Sequence, residues 1–328
     1  MRAVVVREFG PVGAARVEDV AEPVPGAGEV KVAVARVPAN YVDTVVIEGR
    51  YQFAPPLPFV PGKGPVGTVA AVGAGVRRFE VGDRVLAMAE QGGYAQAVCV
   101  DEAQCYGLPA GMSFAAAATM SLAYDTAWFA LVERARMRAG ETVLVLGATG
   151  AVGRAAVQLA KAKGATVIAA VSSASGRRPV ETGADHTIDL SLPDLHESLR
   201  AQVRALTAGA GADIVIDPLG GDVFDAAIRA LAWRGRLVVV GFAAGRIATV
   251  KSNYLLLKNI EVSGLQVSDY RVRAPDLVRR CFEDVFSLFG EGRIDPGPAV
   301  EYGLEDYGRA LRDLLARKVS GRVLLNPG

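Results

Sequence analysis

Leu144-Val145-Leu146-Gly147-Ala148-Thr149-Gly150-Ala151-Val152-Gly153-Arg154-Ala155-Ala156-Val157-Gln158-Leu159-Ala160 is the stretch on which the fold turns. An apolar strand runs into small residues and then straight into a helix. Backbone N–H groups at such a helix start can face a pyrophosphate, and the helix dipole favours its charge. Gly150 and Gly153 take the second and third glycine places of a G-x-G-x-x-G pattern, whereas Ala148 stands where the first is usual. A glycine pattern alone says little, but the strand before it and the helix after it are the context the motif requires. The dinucleotide contacts expected here come from Thr149, Gly150, Ala151, Val152 and Gly153. The competing reading is an ordinary tight turn between strand and helix.

The next strand, Thr166–Val171, is followed by Ser172, Ser173, Arg177 and Arg178, with no acidic residue between Val167 and Arg178. A ribose 2′-hydroxyl calls for a carboxylate roughly 20 residues past the loop, whereas hydroxyls and arginines suit a 2′-phosphate through charge-assisted hydrogen bonds. NADPH is therefore the expected cofactor. The alternative is that the two arginines only solvate a helix start.

Outward from this core, short apolar strands at Thr142–Leu146, Thr166–Val171, Asp213–Asp217 and Arg236–Gly241 alternate with helical stretches. One of these, Gly153–Lys163, is closed by Gly164 at the place of a C-cap. Alternation of this kind predicts βαβ units and a parallel sheet. The first third differs, with β-type runs cut by Gly and Pro at Val30–Val37, Gly67–Val72, Arg84–Ala89 and Tyr94–Val100, which predicts a compact antiparallel or barrel-like domain. The tail after Ser268 returns to helix and ends in a strand, Arg322–Leu325.

A length of 328 residues suits two domains. Lys plus Arg number 36 against 35 for Asp plus Glu, so no overall field draws nucleic acid or an anionic membrane, and a small-molecule partner is expected. Three cysteines without metal-ligand spacing fit a reducing compartment, here the cytoplasm. Arg7 and Glu8 interrupt the first apolar run before it could form a signal-peptide core. Phe114–Val132 holds Thr119, Ser121, Tyr124, Asp125 and Thr126, and reads as a buried helix, not a membrane span.

Several blocks then carry a family resemblance. Asn40-Tyr41-Val42-Asp43 with Gly49-Arg50-Tyr51, Pro61-Gly62, Gly67–Gly73 and Phe79–Val85 come first in order. Asp217-Pro218-Leu219-Gly220-Gly221, Gly241-Phe242-Ala243-Ala244-Gly245 and Asn253–Asn259 follow. Over nearly its whole length the chain resembles the quinone oxidoreductase (zeta-crystallin-like) branch of the medium-chain dehydrogenase/reductase superfamily. The resemblance implies an α/β fold: a Rossmann doubly wound parallel sheet, residues 124–266, inserted into a GroES-like β-rich catalytic domain made of 1–123 plus 267–328. It also implies a homodimer in which the strand near Ile260–Val267 pairs across a two-fold axis, satisfying an exposed sheet edge.

Departures from the superfamily are as informative. Where zinc members carry Gly-His-Glu this chain has Gly62-Lys63-Gly64, and its histidines, His186 and His196, lie in the other domain. No tetrahedral zinc can be built from such a set, so no metal is expected, and acceptors that are already activated, quinones or conjugated alkenes, are favoured. Related quinone reductases often have glutamate where Gly64 stands and tyrosine where Val45 stands, and their loss predicts a less polar pocket.

The resemblance also distributes roles. Tyr51 occupies the place at which similar enoyl thioester reductases present a phenol to substrate, and a tyrosine hydroxyl can donate to negative charge developing on an acceptor oxygen. The alternative is packing. Asn40 would hold nicotinamide or substrate, while Asp43 orders the local turn. Thr126 would reach the cofactor or else cap a helix. Gly241, Phe242 and Gly245 fall at a strand's carboxyl end, where open α/β sheets bind ligands, with core packing as the alternative for Phe242. Leu265 lies in the segment whose backbone holds the carboxamide, and Arg322 stands near the phosphates where many relatives have lysine. Asp83 reads as a turn residue, and Cys99 and Cys105 as buried hydrophobes.

The function expected is NADPH-dependent reduction of a small-molecule electron acceptor, a quinone or an alkenal or alkenone double bond, by direct hydride transfer. Enoyl thioester reduction is the alternative that retention of Tyr51 and loss of polar groups at 45 and 64 keep open. An NADPH-binding structural or regulatory protein with little turnover is the second. Nucleic-acid binding finds no basic run to support it.

Overall fold

Valines spaced two apart along Glu29–Pro38 bury Val30, Val32 and Val34 on one side of a long strand, and this strand organises the first unit. The computed structural model describes residues 1–172 and 183–328. Ser173, Arg177 and Arg178 of the cofactor reading lie outside the described residues. Two units cluster by contact: Met1–Leu122 with Arg271–Phe282 and Pro296–Gly328, and Ala123–Tyr270 with Glu283–Asp295.

The first unit opens on a two-stranded ribbon, β1 (Arg2–Val5) with β2 (Arg16–Asp19). Its main sheet contains β3 (Glu29–Pro38), β4 (Val66–Val72), β5 (Arg84–Ala87), β6 (Ala97–Asp101) and β7 (Cys105–Gly107). The helices α1 (Tyr41–Ile47) and α2 (Phe114–Met120) belong to the same unit. The chain later returns with β14 (Ala299–Gly303), α10 (Tyr307–Leu315) and β15 (Arg322–Asn326), and the sheet runs β14-β15-β3-β4-β5-β7 with β6 also on β3. Every pair in it is antiparallel except β14 with β15. Its core packs valines of β3 and β4 against Tyr94, Ile47, Leu311 and Val323.

The second unit begins with α3 (Ala123–Trp128) and a π-helical turn, Phe129–Arg134. It continues through β8 (Thr142–Leu146), α4 (Ala151–Ala162), β9 (Thr166–Val171), β10 (His186–Asp189), α5 (Leu195–Leu206) and β11 (Ala212–Asp217). Then follow α6 (Gly221–Ala230), β12 (Leu231–Val239), α7 (Ser252–Lys258) and β13 (Glu261–Gly264). The six strands among the described residues form one parallel sheet in the order β10-β9-β8-β11-β12-β13. Renumbered within the unit this is 3-2-1-4-5-6, the doubly wound order, and its direction reverses between β8 and β11. The strands are nearly continuous Val, Ile and Leu because both faces are covered. Small residues on α4, Ala155, Ala156 and Ala160, bury completely and let the helix approach the sheet.

One expectation is corrected. Phe114–Val132 is not one helix, because Ser121 ends α2 and Leu122, with φ +57°, turns the chain before α3. In the grouping by contact, part of the return segment falls with each unit. α8 (Val267–Arg273) and α9 (Pro275–Gly290) lead into Glu283–Asp295, which falls with the second unit. Asp284 accepts hydrogen bonds from the Trp128 indole and Lys163, and Asp295 exchanges backbone bonds with the Gln158 amide at 2.7 and 3.0 Å. Among the described residues no helix is long and apolar enough to cross a membrane.

Candidate active site

At the carboxyl edge of the second unit, β8 passes into α4 through Gly147–Gly150. Gly147 has φ +59° and its carbonyl accepts from the Gly150 N–H at 2.9 Å, so the positive φ falls one residue before the place of the first motif glycine. That is why Ala148 can stand there, fully buried, donating its N–H to Ala170 O at 3.2 Å. Gly153 is needed for approach: a Cβ there would lie 2.3 Å from Gly147 O and 2.8 Å from Ala148 Cα. The N–H groups of Ala151, Val152 and Gly153 have no acceptor within the helix, as at any helix start. These N–H groups, a close backbone and a helix dipole are the parts that hold a pyrophosphate, so the residues present fit a dinucleotide.

Neighbouring strands end at the same edge. Ser172 follows β9, and beyond β11 the carboxylate of Asp217 shapes the next turn, Oδ1 accepting from Leu219 N and Gly220 N at 2.9 Å each. Asp217 is fully buried, burial raises its pKa, and among the described residues Oδ2 has no hydrogen-bond partner. After β12, Gly245 (φ +91°) donates to Phe242 O at 2.8 Å, closing the Gly241–Gly245 turn. The Phe242 ring is half exposed and not core, and a Cβ on Gly220 would come within 3.1 Å of it. Leu265 follows β13 with its N–H on Val239 O at 3.0 Å. Thr126 is buried on α3, where its N–H and hydroxyl donate to Asp125 Oδ1 at 2.6 and 3.3 Å. Thus the loop, Ser172, Gly241, Phe242, Gly245 and Leu265 all lie at the carboxyl ends of parallel strands.

The other residues singled out belong to the first unit. Asn40 precedes α1 and is buried. Its Oδ1 accepts from the Arg322 guanidinium at 2.8 Å and its Nδ2 donates to Pro38 O at 3.2 Å. Arg322 is therefore tied to Asn40 within this unit. Asp43, one turn into α1, accepts on Oδ2 from Asn40 N at 2.8 Å and from the buried Tyr94 hydroxyl at 2.9 Å. Burial pushes the Asp43 carboxyl up to about 6, against the lowering effect of these donors and of Lys63, and holds the Tyr94 phenol well above its ordinary range. Tyr51 is half-buried, its ring edge-on to Phe53 at 6.2 Å.

Lys63, Glu90 and Arg271 were passed over in the sequence. Lys63 is 3% exposed, its Nζ donating to Glu90 O at 3.1 Å and to one Glu90 carboxylate oxygen, and it sits 5.5 Å from the centre of the Tyr51 ring. Arg271, equally buried, holds the other Glu90 oxygen. A lone lysine between glycines in an apolar block was the available signal, but its partner Glu90 lies 27 positions away in the chain and Glu90's other partner, Arg271, a further 181. Ser121 was missed too. Its hydroxyl donates to Gly64 O at 2.9 Å and lies 2.0 Å from where a Gly64 Cβ would stand. Ser121, at the end of α2, occupies the space that a side chain at position 64 would need. Burial pushes the Cys105 thiol up to about 12, as for a buried hydrophobe. Among the described residues no group of three or more His, Cys, Asp or Glu side chains could hold a metal ion.

The elevated carboxyl of Asp43 has a pH consequence. Its folded pKa, about 6, exceeds the ordinary 3.9, so the folded chain binds this proton more tightly than the unfolded one. The resulting stabilisation is fully present below about pH 4 and is lost as pH rises through 6, a loss of about 3 kcal/mol. Urea unfolding of wild type and Asp43→Asn at pH 4 and pH 7 reads it as a steeper decline for wild type. Parallel declines would mean that folding leaves the Asp43 pKa unshifted.

The comparisons with known proteins agree with this layout. Residues 26–110 match the alcohol dehydrogenase GroES-like domain and residues 151–283 the zinc-binding dehydrogenase family. The chain is 36% identical over 304 residues to a quinone oxidoreductase-like protein 2 homolog of Nematostella vectensis, covering 92% of this chain and 82% of that protein. A mycobacterial quinone oxidoreductase has a TM-score of 0.90 at 32% identity over 100% of both chains. Escherichia coli quinone oxidoreductase complexed with NADPH gives 0.90 at 27% identity, again over 100% of each.

Proposed function

Because this chain belongs to the quinone oxidoreductase-like branch of the medium-chain dehydrogenase/reductase superfamily, we propose that it reduces quinones or activated carbon–carbon double bonds with NADPH. The observation that carries this reading is the close backbone approach at Gly153 below an α4 N-terminus free to receive a pyrophosphate. When bound, NADPH supplies the hydride. Ala151, Val152 and Gly153 donate backbone N–H groups to the pyrophosphate, and Thr149 and Gly150 shape the turn that brings it there. Ser172, with Ser173, Arg177 and Arg178, takes the 2′-phosphate. The Gly241–Gly245 turn and Leu265 line the remaining edge, Phe242 offering its ring and Leu265 its backbone. In the first unit Asn40 and its partner Arg322 form a fixed polar pair, and Tyr51 gives a proton to the reduced acceptor. The same reading carries a homodimer: β13 is the outer strand of its sheet, and α7 just before it leaves Leu256 and Leu257 exposed.

The test is the loss of reduced-cofactor absorbance with NADPH or NADH and a panel of benzoquinone, naphthoquinone, an alkenal, an alkenone and an enoyl-coenzyme A. Consumption of NADPH with the quinones, the alkenal or the alkenone is expected. Turnover of the enoyl thioester alone would reassign the protein as a thioester reductase, a role that Tyr51 and the absence of an acidic residue at Gly64 also suit. Tight NADPH binding with no turnover of any acceptor would leave a binding role instead.

A further inference from the structure

We propose that Lys63 is a positioning residue for this reaction, holding the Tyr51 ring and balancing the negative charge left when Tyr51 gives up its proton. The inference rests on the reading above, in which Tyr51 is the proton donor. In that step the acceptor carbon takes the hydride with its electron pair, NADPH being oxidised to NADP+. The Tyr51 O–H bond breaks as its proton passes to the reduced acceptor, and the phenolate recovers a proton from water.

An ammonium group stripped of water is costly unless paired, so a buried lysine calls for an explanation. Glu90 supplies part of one, since its carbonyl and one carboxylate oxygen accept two of the three Lys63 N–H bonds. Among the described residues the third has no acceptor. The same Glu90 carboxylate is shared with a second buried cation, Arg271. Besides the Asp43 carboxyl, whose pKa it lowers, the ammonium faces the Tyr51 ring, whose centre is 5.5 Å from Nζ. A cation in this position is attracted to the ring's π-face, and more strongly when the ring carries a phenolate's negative charge. Glu90 and Arg271 hold the ammonium in place, and Lys63 holds Tyr51. A purely structural ion pair would knit residues 63, 90 and 271 together without any dependence on the Tyr51 hydroxyl.

The test pairs Lys63→Met and Lys63→Arg with Tyr51→Phe, using the acceptor found in the panel. Lys63→Gln replaces Lys63→Met if that variant does not fold. Expected are a fall of about tenfold in kcat for Lys63→Met at unchanged NADPH affinity, recovery of most of it in Lys63→Arg, and little effect of Lys63→Met in the Tyr51→Phe background. An equal fall in both backgrounds would overturn the proposal, because Lys63 would then act independently of the hydroxyl. Fluorine NMR of 3-fluorotyrosine-labelled protein without cofactor gives a second readout. The Tyr51 signal, assigned by its loss in Tyr51→Phe, should move in Lys63→Met and return in Lys63→Arg, and an unmoved signal ends the proposal whatever the kinetics show. If wild type reduces no acceptor, the functional reading fails, and this signal alone decides whether Lys63 holds Tyr51.

Discussion

Gly153→Val is expected to weaken NADPH binding by about 100-fold or more and to lower folding stability by about 1–3 kcal/mol. The atoms a side chain would meet are Gly147 O at 2.3 Å and Ala148 Cα at 2.8 Å, both backbone. A flexible side chain could swing aside, but these cannot. The start of α4 must lift from the loop, taking the N–H groups of Ala151 and Val152 with it. The two effects have different sizes for a physical reason. The helix keeps its buried face of Ala155, Ala156, Val157 and Leu159 after a small shift, whereas hydrogen bonds to an anion weaken steeply once the N–H groups no longer point at it. Fluorescence titration with NADPH reads the first effect and urea unfolding the second. Gly303→Ala, at a glycine whose Cβ would have no neighbour within 4 Å, is the control and should change neither. Wild-type affinity in Gly153→Val would place the cofactor elsewhere.

Tyr51→Phe should lower kcat by about 100-fold, the lower end of what a positioned general acid contributes, with NADPH affinity unchanged. Phenylalanine retains the ring that packs beside Phe53 and under Lys63, so only the hydroxyl is removed. The comparison therefore separates chemistry from packing. Stopped-flow measurement of cofactor oxidation under single-turnover conditions is the suitable assay, since slow product release would otherwise mask the change. An unchanged rate returns Tyr51 to packing and leaves protonation to water.

The second unit was the more legible because its evidence is local. Strand, turn and helix of the dinucleotide loop fall within 21 consecutive residues, Thr142–Ala162, and the periodic change from strand to helix is visible without knowing what packs on it. Even the odd residue, Ala148, becomes orderly once the positive φ is assigned to Gly147. The polar centre of the first unit was less so. Asn40 with Arg322, Asp43 with Tyr94, and Lys63 with Glu90 and Arg271 are pairs made by tertiary folding, and no periodicity marks them. Reading Gly62-Lys63-Gly64 for what it lacks, a zinc ligand, drew attention away from the buried cation it contains. The return of Glu283–Asp295 to the second unit was hidden for the same reason. It depends on Asp284 meeting Trp128 and Lys163, contacts that span more than a hundred residues.

The serine hydroxyl lodged beside Gly64 couples two positions that lie 57 residues apart in the chain. Any side chain at position 64 would place its first carbon 2.0 Å from the Ser121 hydroxyl, which would have to rotate away, and its backbone would be held at φ +65°. Loss of Ser121 alone leaves Gly64 O without its donor. The two positions are thus coupled: a side chain at 64 requires the hydroxyl at 121 to move, and removing that hydroxyl leaves a buried carbonyl unpaired.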